Sequence, residues 1–346
     1  MKGRTIALDQ WQGREAAALV VDGRLVDLLI DHDQPRAGAI YRAVADRPVK
    51  GQGGMFLRTP DGSAFLRQVK GLKPGQPLLV QVTGFAEPGK AIPVTTRLLF
   101  KSRYAIVTPG APGINVSRRI RDDEIRDSVL EAAHEGLADA GLPPEAGLIL
   151  RSSCAEGDPQ AIAEDVAAMA ALATAVLADA TGEAELLVEG DGPHALGWRD
   201  WADPAELDAD AGSFARHGID EMIDALRSPR VPLGANHAMY IEPTRALVAV
   251  DINTGGDTSP AAGLKANIAA LRDLPRQLRL RGLGGQILID PAPAPKKDRR
   301  QLESVLRAAL KSDETETILC GWTQLGLIEV QRKRDRIPLH EILKGS

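Results

Sequence analysis

The sequence predicts a multi-subdomain protein of the α/β class, in which helices pack on sheets and a small β-barrel is inserted near the N-terminus. Three observations lead to this prediction. Short apolar runs separated by Gly, Pro and Asp dominate residues 35–98. From Lys101 onward, apolar runs typical of strands alternate with longer segments typical of helices, which indicates helix-covered sheets. The length of 346 residues is sufficient for two or more hydrophobic cores.

The composition is that of an ordinary globular protein, with 44% hydrophobic and 26% charged residues. No apolar run approaches the ~18 residues that a membrane-spanning helix needs, and the N-terminus lacks an apolar signal core. We therefore expect no membrane association and a cytoplasmic location. Cys154 and Cys320 lie far apart and form no Cys-x-x-Cys, so neither a zinc site nor a disulfide framework is expected.

The net charge of −5 conceals a strong segregation of charge along the chain. Residues 178–224 contain thirteen acidic and two basic residues, whereas residues 265–311 contain eleven basic and four acidic residues. Because binding depends on the local field, an acidic protein of this kind is compatible with a polyanionic partner. The alternative for the basic stretch is a solvated helix face.

The N-terminal third is predicted to be all-β. Residues 1–34 read as two or three short strands, with an Asp22-Gly23 hairpin signal between apolar runs. Residues 35–98 contain short strands at close spacing, with turns such as Lys73-Pro74-Gly75. This rhythm predicts a small barrel of the oligonucleotide-binding type, although strand rhythm alone does not distinguish it from an SH3-like barrel.

Alternating strands and helices are predicted for the remainder. One helix is closed by Gly141, and a second begins with Asp158 as N-cap and Pro159 in its first turn. The last third reads as strand, Gly-rich loop, helix, strand, helix and two further strands. Pro275, inside the first of these helices, predicts a kink or a break.

Polar residues end two of the apolar strand segments. "ALVAVDINTGGDTSP" presents Asp251 and Asn253 to the same side of a strand, and "GGQILIDPAPAPKK" presents Asp290 at the end of another. Ligands of α/β sheets bind beyond the carboxyl ends of strands, and oxygen donors of this type suit Mg²⁺ or Mn²⁺. Basic helices beside a carboxylate-held metal favour phosphodiester hydrolysis. The alternative is a strand followed by ordinary turn-forming residues.

Several blocks resemble the ribonuclease E/G family of bacterial endoribonucleases: "VAVDINTG", "RQLRLRGLGGQILID", "LGLIEVQRKR", "YAIVTPGAPGINVSRRI" and "GAIYRAV" through "LLVQV". The resemblance covers nearly the whole chain. It implies an RNase H-like subdomain in two parts, a barrel of the S1 type, a 5′-sensor-like region and a DNase I-like catalytic subdomain. The RNase H-like subdomain corresponds to residues 1–34 with 185–230, and the barrel to residues 35–98. The 5′-sensor-like region corresponds to residues 99–184, and the DNase I-like subdomain to residues 231–346.

The resemblance also implies roles for single residues of the site. Asp251 and Asp290 match the two magnesium-binding aspartates of the family, and Asn253 matches the asparagine that orients the attack. Arg151 and Ser152 stand where the family has an Arg-Thr pair that grips a 5′-monophosphate. A planar guanidinium and a hydroxyl both suit phosphate oxygens.

Other residues are expected to contact RNA away from the metal. Phe56 and Phe65 match positions on which the family stacks bases, which contributes ~1–3 kcal/mol per base; the alternative is that both belong to the barrel core. Arg276, Arg279 and Arg281 are candidates for phosphate contacts, and the alternative is one solvated helix face.

The chain departs from the family in three respects. It has no Cys-x-x-Cys, so a zinc-linked dimer is not expected, although a homodimer formed in another way is possible. "IDPAPAP" replaces a more acidic segment after Asp290. Arg245 replaces an acid, and Glu316 stands near the position of a sensor arginine, where a carboxylate would repel phosphate and weaken 5′-end sensing.

The sequence therefore predicts a Mg²⁺-dependent endoribonuclease that acts on single-stranded RNA and leaves a 5′-phosphate and a 3′-hydroxyl. The second hypothesis is an RNA-binding relative with weak or no catalysis, which the "IDPAPAP" segment favours. A third is a metal-dependent enzyme on another phosphate ester, which leaves the barrel unexplained.

Overall fold

The computed structural model describes residues 3–49, 53–69, 71–87, 89–234 and 236–343. Within them the strands are, in chain order, β1 (Arg4–Trp11), β2 (Arg14–Val21), β3 (Arg24–Ile30), β4 (Ile40–Val49), β5 (Gly54–Thr59), β6 (Gly62–Leu66), β7 (Pro77–Val82), β8 (Ile92–Thr95), β9 (Phe100–Lys101), β10 (Ala105–Pro109), β11 (Gly113–Val116), β12 (Ala146–Leu150), β13 (Glu185–Val188), β14 (Glu206–Asp208), β15 (Arg230–Pro232), β16 (Ala238–Pro243), β17 (Val248–Asn253), β18 (Gly285–Asp290), β19 (Thr317–Trp322) and β20 (Ile328–Arg332). The helices are α1 (Asp123–Ala140), α2 (Pro159–Ala178), α3 (Pro193–Asp200), α4 (Ser213–Arg216), α5 (Ile219–Ala225), α6 (Pro260–Leu280), α7 (Arg299–Lys311) and α8 (Leu339–Ile342), with 3₁₀ turns at Ser152–Glu156 and Lys296–Asp298.

The chain forms two compact units. Residues 31–206 form one, which we call the inserted unit, and residues 1–30 with 207–346 form the other, the discontinuous unit. We had predicted that residues 185–230 return to the N-terminal strands, but β13 pairs with β4 and lies in the inserted unit. The buried Arg42 explains this, since its Nε donates to the Glu183 carbonyl at 2.7 Å and its guanidinium pairs with Glu185. The boundary therefore lies near residue 206.

The inserted unit contains the predicted barrel. Five strands pair in the order β4-β5-β6-β8-β7, and β7 closes the barrel by pairing with β4. β6 and β8 run parallel while their other neighbours run antiparallel. A closed five-stranded barrel of this kind is consistent with an S1 or oligonucleotide-binding domain.

A second layered region of the inserted unit packs α1 and α2 on the sheet β11-β12-β10-β9. The predicted helix ends are confirmed, because Asp158 precedes α2 and Gly141 closes α1 with a φ of 62°. Among the described helices, α2 alone is long and apolar enough to cross a membrane by length and composition, contrary to the expectation from the sequence. One face of α2 is buried in the core of its unit, and core helices pass the same test, so this is weak evidence for a membrane span.

The discontinuous unit contains two sheets. The smaller has the order β14-β1-β2-β3, in which β1, β2 and β3 run antiparallel, and it packs its apolar face against α4 and α5. The predicted hairpin joins β2 to β3, with Asp22 at a φ of 49° and Gly23 at 74°. The larger sheet has the order β15-β16-β17-β18-β20-β19, and β17 and β18 are its parallel pair.

The two faces of the larger sheet differ in burial. Alternate residues of β17, such as Val250 and Ile252, are buried against α6 and α7, as are Ile287 and Ile289 of β18. The residues between them face away from these helices and are more accessible to solvent. We call this second side, which carries Asp251, the open face.

Pro275 does not break α6, which continues from Pro260 to Leu280. The predicted break is therefore wrong. Pro275 is itself buried, and residues on both sides of it, including Leu271, Leu274 and Leu278, lie in the core. This burial offsets the hydrogen bond that the proline cannot donate.

Candidate active site

The three predicted metal-site residues lie on neighbouring strands of the larger sheet. Asp251 and Asn253 are on β17, and Asp290 is the last residue of β18. In the parallel register Asp251 stands directly opposite Asp290, which places the two residues about 4.8 Å apart across the strands. All three are exposed on the open face. The structure thus brings together residues that are 39 positions apart in sequence.

The two carboxylates lie in a negative local field. Partial burial raises the pKa of Asp251 above its usual range, and the charges of Asp290 and Glu242 raise it further. Glu242 contributes because it lies on β16, opposite Ala249 and so on the same side of the sheet as Asp251. A cation bound between the carboxylates would relieve this repulsion.

The amide oxygen of the Asn253 side chain is hydrogen-bonded to the backbone of the protein. Its Oδ1 accepts a hydrogen bond of 2.7 Å from the Gly255 backbone N–H. This bond orients the amide, because the oxygen must be the atom that faces the N–H group. The Nδ2 group therefore points to the other side, where it is suited to donate to an anionic ligand.

These residues fit a hard divalent cation. Asp251 and Asp290 supply carboxylate oxygens from adjacent strands, and the field around Asp251 favours positive charge. No group of three or more His, Cys, Asp and Glu side chains is arranged to hold a metal in the part of the chain that the structure describes. Two protein carboxylates suit Mg²⁺ in particular, because it keeps several waters and shares its remaining positions with substrate phosphates.

Asn267 holds the loop that follows Asp290. Its side chain is fully buried, its Nδ2 donates to the Ala292 carbonyl at 2.9 Å, and its Oδ1 accepts from the Ala292 N–H at 2.8 Å. Gly263, one turn earlier on α6, allows close packing, since a Cβ there would lie 2.3 Å from the Pro293 carbonyl. We assigned Asn267 no role from the sequence, because nothing local to "LKANIAA" reveals a contact 25 residues away.

The three arginines expected to bind RNA phosphates do not fit that role. Arg276 pairs with Asp273 of its own helix, Arg279 pairs with Asp313, and the buried Arg281 donates to a backbone carbonyl. These interactions hold the guanidinium groups inside the discontinuous unit. The prediction is corrected on this ground, because α6 is covered on this side and has no solvated basic face there.

Other basic residues nearby are free of this constraint. Lys296, Lys297 and Arg300 follow the Asp290 loop and are exposed, as are Lys265 and Arg272 of α6. The positive charge predicted for this stretch is thus on the surface, but on different side chains from those expected. Such residues suit long-range attraction of a polyanion.

Arg151 and Ser152 lie together at the end of β12 in the inserted unit. The Arg151 guanidinium donates to Asp200 at 2.8 Å and to the backbone carbonyls of Ser102 and Arg199. Burial would raise the pKa of Asp200, but Arg199 and Arg151 hold it below its usual range, so it stays a carboxylate. A 5′-phosphate would compete with Asp200 for Arg151, and phosphate binding here stays a prediction.

Phe56 and Phe65 face each other across β5 and β6, with ring centroids 5.3 Å apart. Both are half-buried, whereas their neighbours Met55 and Leu66 point into the barrel core. Gly54 makes room for the Phe65 ring, because a Cβ at that position would lie 2.4 Å from it. The pair therefore lies outside the core, as base stacking requires.

The two positions at which charged residues depart from the family pattern, Arg245 and Glu316, are both on the surface. Arg245 is exposed in the turn between β16 and β17, and Glu316 is exposed just before β19. Each belongs to the discontinuous unit. Weakened 5′-end sensing through Glu316 stays a prediction.

Known proteins are similar to most of this chain. A sequence model described as the Ribonuclease E/G family matches residues 100–204 and 200–335. Ribonuclease E of Synechocystis sp. is 27% identical over 361 aligned positions, which cover 91% of this chain and 52% of that protein. Ribonuclease G of Escherichia coli strain K12 is 31% identical over 317 positions, covering 79% and 62%. Ribonuclease E of Nostoc sp. is 26% identical over 387 positions, covering 95% and 56%. The chain spans about half to about three-fifths of the length of these relatives.

Proposed function

Because the chain belongs to the ribonuclease E/G family, we propose that it is a Mg²⁺-dependent endoribonuclease, with Mn²⁺ as a possible substitute. Its substrate is single-stranded RNA, in RNA processing or decay in the cytoplasm, and its products carry a 5′-phosphate and a 3′-hydroxyl. The observation that carries the proposal is the in-register pair of Asp251 and Asp290 on the open face. No zinc is needed, and a homodimer remains compatible with the proposal.

The chemistry divides among three side chains. Asp251 and Asp290 would hold Mg²⁺, which when bound supplies a water of lowered pKa and neutralises charge on the scissile phosphate. Asn253 donates from Nδ2 to a phosphate oxygen, since its Oδ1 is held by the Gly255 N–H. Phe56 and Phe65 of the barrel provide a sequence-tolerant surface for unpaired bases.

The first test is cleavage of a labelled, A/U-rich single-stranded RNA with Mg²⁺ and with chelator. We expect Mg²⁺-dependent product from the wild type and none from Asp251→Asn, because the amide cannot replace a metal-binding carboxylate. Asp127→Asn, the same change at an exposed position of α1, should cleave normally. Cleavage that persists in Asp251→Asn or in chelator would show that these carboxylates do not hold an essential metal.

The Asp251→Asn variant is also expected to be folded. The raised pKa of Asp251 means that its charged form is disfavoured in the folded state, so above the usual aspartate range this charge opposes folding. Removing the charge should therefore leave the free energy of unfolding unchanged or raise it by less than ~1 kcal/mol, because the group is exposed to solvent screening. The thermal midpoint should not fall. A lowered midpoint would make the loss of cleavage uninformative.

The alternative is an RNA-binding protein with little catalysis, favoured by the proline-rich segment after Asp290. It predicts RNA binding that weakens steeply with salt and gives no product. An enzyme acting on another phosphate ester would show neither salt-sensitive RNA binding nor RNA cleavage.

A further inference from the structure

A row of four side chains crosses the open face of the larger sheet. β15 pairs with β16 so that Arg230 stands opposite Tyr240, and β16 pairs with β17 so that Tyr240 stands opposite Asp251. Asp251 in turn stands opposite Asp290. Four successive strands therefore contribute one residue each, at one level of the sheet.

The burial of the flanking residues shows that the row lies on one side. Val231, Met239, Ile241 and Ile252, which alternate with the members of the row, belong to the buried core. Residues directly opposite each other on paired strands point to the same face. Arg230 is exposed and Tyr240 is half-buried, so both are accessible from the side that carries the carboxylates.

The polar groups of the Arg230 and Tyr240 side chains are available to bind a ligand. Among the described residues, neither the Arg230 guanidinium nor the Tyr240 hydroxyl has a hydrogen-bond or ion-pair partner. Arg230 differs in this from Arg276 and Arg279, whose charges are used inside the protein. At about 4.8 Å per strand, the row is about 14 Å long, which is enough to contact more than one nucleotide.

We propose that this row is a binding subsite for the single-stranded RNA that flanks the cleaved bond. The Tyr240 ring stacks on the base beside the scissile phosphate, and the Arg230 guanidinium binds the next phosphate along the strand. The inference rests on the proposed function, because it takes Asp251 and Asp290 as the place where the scissile phosphate lies. The RNA backbone then runs across the strands, from β18 toward β15.

Binding of a short fluorescent single-stranded RNA to the intact protein in chelator tests the subsite without cleavage. Tyr240→Leu should weaken binding about 5-fold to 100-fold, the range for loss of one stacked base, and Tyr240→Phe should recover most of the affinity because it keeps the ring. Arg230→Gln should lower the slope of log K against log salt concentration by ~0.7, one phosphate contact to a single strand. Arg307→Gln removes the same charge from α7, on the other side of the sheet, and should keep the wild-type slope.

The result that overturns the inference is wild-type affinity in Tyr240→Leu or an unchanged salt slope in Arg230→Gln. An unchanged slope would mean that Arg230 only protects the edge strand β15 from pairing with other chains. These binding results are independent of cleavage. Failure of the wild type to cleave RNA would refute the proposed hydrolysis. Normal cleavage by the wild type, together with wild-type RNA affinity in Tyr240→Leu and a wild-type salt slope in Arg230→Gln, would refute the subsite alone.

Discussion

At the scale of single residues, the carboxylates of Asp251 and Asp290 repel each other electrostatically. Their register places two carboxylates one strand spacing apart, and the pKa of Asp251 is raised by partial burial and by this neighbour. Two neighbouring carboxylates repel each other and do not stabilise the fold, but together they favour the binding of a cation. Asn267 adds rigidity, since its two hydrogen bonds to Ala292 fix the chain immediately after Asp290.

Asn267→Asp is expected to weaken metal binding and lower kcat about 10-fold or more, as changes to groups that support metal ligands commonly do. The new carboxylate faces the Ala292 carbonyl, repels it and loosens the Asp290 loop. Mn²⁺ titration and cleavage kinetics measure the effect, while RNA affinity in chelator should stay constant. Leu271→Ala, one turn further along α6 in the same core, reduces stability but removes no hydrogen bond to the loop. Equal loss of Mn²⁺ affinity in both variants would mean that Asn267 is merely structural.

At the scale of elements, helix α6 shows why Arg276 and Arg279 are conspicuous in the sequence but engaged inside the protein. Arg279 pairs with Asp313, and Asp313 pairs at 2.6 Å with Arg332 of β20. Asp313 and Arg332 each have only 1% of the side chain exposed. Although burial would raise the pKa of Asp27, Arg336 and Arg279 hold it below its usual range, so a second buried carboxylate joins the network. Arg279 of α6 therefore serves to stabilise the fold through these buried ion pairs.

Asp313→Asn should reduce the free energy of unfolding by about 3–5 kcal/mol, because it leaves the buried charge of Arg332 without its counter-ion. Chemical denaturation provides the measurement. Asp224→Asn breaks an exposed pair with Arg227 and should change the same quantity by less than ~1 kcal/mol. Similar small losses in the two variants would contradict a stabilising role for the network.

At the scale of the whole molecule, two units carry separate parts of the proposed function. The discontinuous unit holds the carboxylate pair, and the inserted unit holds the barrel with its outward-facing Phe56 and Phe65. The barrel was predictable because its short strands and turns are local features of residues 35–98. The boundary near residue 206 was missed because it depends on the pairing of β13 with β4, which are distant in sequence.

Phe56→Leu and Phe65→Leu should each weaken binding of single-stranded RNA about 5-fold to 100-fold, the range for one stacked base. The slope of log K against log salt concentration should not change, because no charge is removed. Leu99→Ala deletes another exposed apolar side chain of the inserted unit and should bind as the wild type does. A wild-type dissociation constant in both phenylalanine variants, measured over several salt concentrations, would exclude the ring pair from RNA binding.

The sequence by itself determined the strand ends that carry Asp251, Asn253 and Asp290, the barrel rhythm and the family blocks, because these depend on neighbouring residues. Only the tertiary structure decided that Asp251 meets Asp290 in register, that Asn267 holds the following loop, and that Arg276 and Arg279 turn inward. Register and burial are set by packing between segments far apart in the chain. No local pattern of residue types contains that information.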